Sequence, residues 1–225
     1  MSSSQFVEFS PITIMKKVLV ILTIISAFAY TTAIAQENVS FGPIVGLNSS
    51  KLTGNTIYND WKPGPSLGFF VNYSGQNRFG LNGQLLYARI GGQSSNGVSK
   101  GHLDYIQIPI MGTCYLNDKG NKFRPKLMLG PYIGFLVKAT NESGVSINPE
   151  GSNRPYKGVD GGVAMGAGFN YLIGSKVWLN ADLRYNLGLA QAMNTIPDVY
   201  NRSWGINVGL SFPLGKYSPS TGKMK

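Results

Sequence analysis

The chain has 225 residues, 43% of them hydrophobic and only 13% charged, yet its formal net charge is +10. One cysteine, Cys114, and one histidine, His102, exclude an intrachain disulfide framework and a Cys/His metal cluster. The basic residues are scattered rather than gathered into a stripe, which excludes a nucleic-acid groove.

Residues 1–35 read as a secretory signal. Met15-Lys16-Lys17 forms a positive start, residues 18–30 an apolar run, and Ala33-Ile34-Ala35 an A-x-A cleavage site. Residues 1–14 read as an upstream extension, with Met15 the natural start. A membrane anchor is disfavoured because the run is short for a spanning helix and ends in a cleavage signal. No cysteine follows the site, so a lipid-anchored form is not expected. Residues 1–35 carry Lys16, Lys17 and Glu8, so +9 remains for the rest.

Strand-like segments then follow at 39–48, 64–73, 79–90, 103–116, 123–138, 158–172, 176–189 and 203–213. The connections run long, short, long, short, long, short, long. The long ones are 49–63, 91–102, 139–157 and 190–202; the short ones are 74–78, 117–122 and 173–175. An even number of strands, with tight turns at one end and long loops at the other, is the plan of an outer-membrane β-barrel. No segment after the signal supplies about 18 consecutive apolar residues, so any membrane crossing falls to the strands. Mean hydropathy near zero agrees, because only one face of each strand would meet lipid.

Period-2 alternation supports the reading. In 176–189, Val177, Leu179, Ala181, Leu183, Tyr185, Leu187 and Leu189 share one face; Trp178, Asn180, Asp182, Arg184 and Asn186 share the other. Segments 158–172 and 203–213 split the same way. The apolar face is expected outside, against lipid, and the small and polar face in the lumen. That places Arg124, Asp160, Asp182 and Arg184 inside, where an internal Arg–Asp network is expected because buried charges need partners. Pro43, Pro109 and Pro131 suggest local bulges, since proline cannot donate to a ladder. Eight strands enclose a lumen that side chains fill, so a general diffusion pore is disfavoured.

Several segments carry a resemblance: 39–48, 103–110 with Tyr105 and Pro109, 130–134, the glycine-rich 161–169, and 207–212. Together they resemble the outer-membrane β-barrel family of Gram-negative bacteria that includes PorT-like and "porin family" small barrels. The resemblance spans roughly residues 37–215. It implies a barrel fold and an outer-membrane location, with no catalytic or binding motif to carry over. One member serves protein secretion, a role that a shared barrel does not transfer. Phe212 is followed by 13 further residues, a departure from the commonest ending.

The expected organisation is a signal at 1–35, one barrel domain at 36–215 and a polar tail at 216–225. The fold class is all-β: an eight-stranded antiparallel up-and-down transmembrane barrel with periplasmic ends. No catalytic site, metal or cofactor is expected. His102 and Asp104 share a strand face, but such a pair is ordinarily a surface pair rather than a catalytic one. Cys114 is expected to be a small apolar residue facing lipid. Loop 139–157, rich in Ser, Asn, Gly and Pro, is expected to be mobile. The basic loops suit outer-membrane lipid and lipopolysaccharide phosphates, and a protein partner would bind through the loops. The rival functions are an accessory of protein secretion or envelope assembly, and a soluble ligand-binding barrel, which the polar face of 176–189 opposes.

Overall fold

The computed structural model describes residues 39–214, apart from 76–77, 98, 119, 150–153 and 175. The expected signal at 1–35 and the tail at 216–225 lie outside the described residues. Eight strands follow in chain order: β1 (Val39–Thr53), β2 (Lys62–Ser74), β3 (Phe79–Gln93), β4 (Lys100–Tyr115), β5 (Phe123–Asn141), β6 (Val159–Ile173), β7 (Val177–Gln191) and β8 (Tyr200–Pro213). Each pairs antiparallel with the next, and β8 returns to β1 from Ser40↔Pro213 to Thr53↔Tyr200, closing the barrel. Closure leaves no strand edge unpaired, which a hydrocarbon surround demands.

The alternating sequence builds this wall. Inward residues are buried, and large apolar side chains on all eight strands stand outward: Leu47 is 72% exposed, Phe69 65% and Ile206 62%. In water such a surface would be untenable; in lipid it is the expected apolar band.

Most strands run further than the alternation predicts, chiefly at the end with the long connections. β1 continues to Thr53, β3 to Gln93 and β5 to Asn141, which shortens the outward connections to 54–61, 94–99, 142–158 and 192–199. A strand of 13–19 residues rises about 43–63 Å. Even when tilted, it outreaches an apolar band of about 25 Å, so the outward ends project beyond the membrane. At the other end the turns are tight: Gly174 takes φ +68° between β6 and β7, a left-handed conformation that favours glycine.

Two expectations need correction. The three prolines cause no bulge. Pro43 pairs in register with Phe69, Pro109 with Tyr132 and Pro131 with Val163. Each forfeits its own ladder bond without displacing its neighbours. The β4–β5 register shifts instead between Asp104 and Tyr105, which face Lys138 and Leu136, leaving Val137 as the extra residue. Nor does the described part of loop 139–157 hang free. The Val145 amide donates to Asn141 Oδ1 at 2.9 Å and the Ile147 amide to the Ala139 carbonyl at 3.0 Å, folding the chain back on β5. Tyr156 then forms a β-bridge with Met193 of the last connection.

Candidate functional site

Side chains fill the barrel's interior in tiers. Its middle holds a directed chain of hydrogen bonds. Arg184 Nη1 donates to Gln84 Oε1 at 2.6 Å, Gln84 Nε2 to Asn82 Oδ1 at 2.7 Å, and Asn82 Nδ2 to Asn72 Oδ1 at 2.5 Å. Asn72 Nδ2 continues to Asn180 Oδ1 at 3.0 Å, and Asn180 Nδ2 to Ser211 Oγ at 3.0 Å. The chain starts on β7, crosses the lumen to β3, passes to β2 and returns through β7 to β8. Each of the four amides accepts at its oxygen and donates from its nitrogen, so the amides along this path satisfy one another, while Arg184 Nε at its head is buried without a hydrogen-bond partner.

All four residues expected in the lumen are buried there: Arg124, Asp160, Asp182 and Arg184. Their hydrogen bonds do not follow the expected Arg–Asp pattern. Arg184 uses Gln84, and no ion pair joins it to Asp182 among the described residues. Asp182 Oδ1 accepts from Asn207 Nδ2 at 3.2 Å and lies within electrostatic range of the buried Lys126. Arg124 Nη1 donates to Ser74 Oγ at 3.0 Å, and its guanidinium stacks 3.7 Å from the Tyr115 ring. Asp160 Oδ2 accepts from the Tyr132 hydroxyl at 3.1 Å. The carboxylates are met from neighbouring strands, by Tyr132 on β5 and Asn207 on β8, whereas the arginines reach across the lumen, Arg184 from β7 to Gln84 on β3 and Arg124 from β5 to Ser74 on β2.

Under the long connections the lumen turns apolar. Leu52, Ile90, Leu103, Tyr105, Tyr156, Met193 and Val199 form one buried cluster, with Tyr58, Ile147 and Ile196 packed on it from the loops. This stopper closes the outward mouth. Tyr156 belongs to the loop layer, and burial pushes its hydroxyl above the usual range. Period-2 reading misses the stopper because half its members lie in connections. Its signal was there in apolar residues set among polar ones: Tyr58, Ile147, Met193, Ile196 and Val199.

A second feature lies on the outer face near the same rim. Inward positions on β4 are odd-numbered, so Lys100, His102 and Asp104 face outward, as do Arg89 on β3 and Lys138 on β5. Arg89 holds Asp104 with two bonds, Nε to Oδ1 at 2.7 Å and Nη2 to Oδ2 at 3.0 Å. The grip is bidentate, and among the described residues no hydrogen bond joins His102 to Asp104. Lys100 Nζ meets Glu142 Oε1 at 2.7 Å, and the lysine holds that carboxyl below its usual range. Lys62, buried at an inward position of β2, lies within electrostatic range of Arg89, Asp104, Lys100 and Glu142 but does not stand on this outer face.

Cys114 faces outward at a partly exposed position and borders a groove with Phe79, Leu127 and Leu129. Among the described residues, no three of His, Cys, Asp and Glu come together as a metal site.

A closed antiparallel barrel of eight strands, apolar outside and packed with polar side chains inside, defines a small outer-membrane barrel. The chain belongs to the family described as outer membrane protein beta-barrel domain, whose model matches residues 34–194. It is a protein of the outer membrane. No curated protein matches the sequence significantly. Among solved structures, the attachment invasion locus protein Ail of Yersinia pestis is similar at 19% identity and a TM-score of 0.46, over 78% of this chain and 99% of that one. Neisserial surface protein A is similar at 16% identity and a TM-score of 0.49, over 77% and 96%. OprG of Pseudomonas aeruginosa is similar at 13% identity and a TM-score of 0.46, over 78% and 95%.

Proposed function

We propose that this barrel is a non-conducting, non-catalytic scaffold of the outer membrane that acts through its outward rim and loops. One observation carries the reading: the lumen is filled from the polar chain around Arg184 and Asn72 up to the stopper around Tyr105 and Tyr156. An eight-stranded barrel has an interior only wide enough for such side chains. What is left for contact is the collar above the stopper, built from connections 54–61, 94–99, 142–158 and 192–199. Binding residues concentrate on loops that a rigid frame holds in place.

Single-channel recording in planar bilayers tests the reading, with a general porin reconstituted alongside. The scaffold is expected to insert without producing steady conductance steps. Stable ohmic steps at neutral pH would overturn it. Crosslinking on intact cells, with a photoreactive group placed in connection 192–199, is then expected to capture a neighbouring protein.

A further inference from the structure

We infer that the outer face of β2–β5 is a docking site for a phosphorylated glycolipid of the outer leaflet, of the lipid A kind, gripped at the rim by cations on β3–β5 and below it by an acyl-chain groove on β2–β4. Three observations converge on one stretch of wall.

The first is charge. Arg89, Lys100 and Lys138 gather at the rim against two carboxylates, Asp104 and Glu142, leaving a local excess of one positive charge on the outer face. Lys138 stands opposite Asp104 in the β4–β5 register and makes no ion pair among the described residues. The Val137 bulge leaves Val137 and Lys138 both exposed, adding a cation to an outward row that would otherwise be apolar. The Arg89–Asp104 pair holds one guanidinium rigidly beside it. Cations near an anionic membrane surface attract phosphate directly.

The second is shape. Below the cluster lies an apolar groove of about 310 Å³, bordered by Phe69, Val71, Leu85, Ile108 and Ile110. Gly83 is its floor. A Cβ added there would meet nothing within 4 Å, so the groove exists because this outward position lacks a side chain.

The third is depth. From Asp104 to Ile108 and Ile110 is four to six residues, about 13–20 Å along the strand. With strands tilted about 40°, that becomes about 10–15 Å along the membrane normal. Half of an apolar band of about 25 Å is about 12 Å, so the groove lies at the depth where the acyl chains of the outer leaflet end when the cations sit at its headgroups. Tyr87 and Ile106, paired between the two levels, mark the boundary. A lipid with phosphate on its headgroup and several saturated chains fits both halves of the site; a free phosphate would use only the rim.

The test is native mass spectrometry of the barrel released from phosphatidylcholine vesicles doped with bisphosphorylated lipid A, its dephosphorylated form, or phosphatidylglycerol. Retention of the bisphosphorylated lipid is expected to exceed the other two by about tenfold, the effect of one to two surface charges. Lys138→Glu is expected to remove most of that preference. Lys51→Glu, an equal charge change at Lys51, which lies over the Trp61 ring instead, is expected to leave it within about twofold. Gly83→Leu, whose Cβ meets nothing within 4 Å, puts a side chain into the groove and is expected to lower retention of both lipid A forms while the protein still folds and migrates as a closed barrel. The inference is overturned if dephosphorylated lipid A is retained equally, if Lys51→Glu and Lys138→Glu act alike, or if Gly83→Leu leaves retention unchanged.

Discussion

Asn82 is the link at which the lumen chain is best broken. Asn82→Leu keeps the side-chain volume close to native and removes both polar atoms at once. Gln84 Nε2 then loses its acceptor at 2.7 Å, and Asn72 Oδ1 loses its donor at 2.5 Å. Asn82 is 2% exposed, so water does not replace them readily. Each orphaned buried group costs about 1–3 kcal/mol, and the added apolar surface recovers part of that. The expected net loss is about 2–4 kcal/mol. Asn72→Leu breaks one of the same bonds and also strands Asn180 Oδ1. The two losses therefore share a term, and the double variant is expected to fall short of their sum by about 1 kcal/mol or more. The assay is reversible urea unfolding in short-chain lipid vesicles, followed by the fluorescence of Trp61, Trp178 and Trp204. A loss below about 0.5 kcal/mol for Asn82→Leu, or strict additivity in the double variant, would refute the idea that these amides act as one connected chain.

Two glycines make opposite predictions. At Gly168 a Cβ would collide with the Ala181 carbonyl on β7, so Gly168→Val is expected to cost more than about 3 kcal/mol or to block closure, while Gly83→Val, pointing into open space, is expected to stay within about 0.5 kcal/mol. Migration of unboiled samples on gels separates the two. At the rim, the Lys100–Glu142 pair lowers the Glu142 carboxyl from its ordinary 4.5. A carboxyl depressed on folding adds stability at pH above 4.5 that is lost as the pH falls through its folded value. Glu142→Gln should therefore flatten the acid end of the stability profile slightly, and high salt should flatten the native profile in the same way. An acid limb identical in both proteins would show that the pair is idle.

The dyad alternation of residues 177–189, together with the long–short rhythm of the connections, determines the strand count, the pairing and the inside–outside assignment. Those properties follow from a period of two, which is written locally in the chain. The same logic places Arg124, Asp160, Asp182 and Arg184 in the lumen. Tertiary structure decided their partners. Arg184 and Gln84 are 100 positions apart and meet only because closure sets β7 across from β3. The stopper needed closure too, since Tyr58, Tyr156 and Met193 come from separate connections that converge only above a finished barrel. The bulge at Val137, which sets Lys138 beside Asp104, left no local mark, whereas prolines that marked bulges in the sequence lie in register. A strand's faces are fixed by its own residues; what stands at the same height across a lumen is fixed by the tilt and stagger of all eight, which no single segment contains.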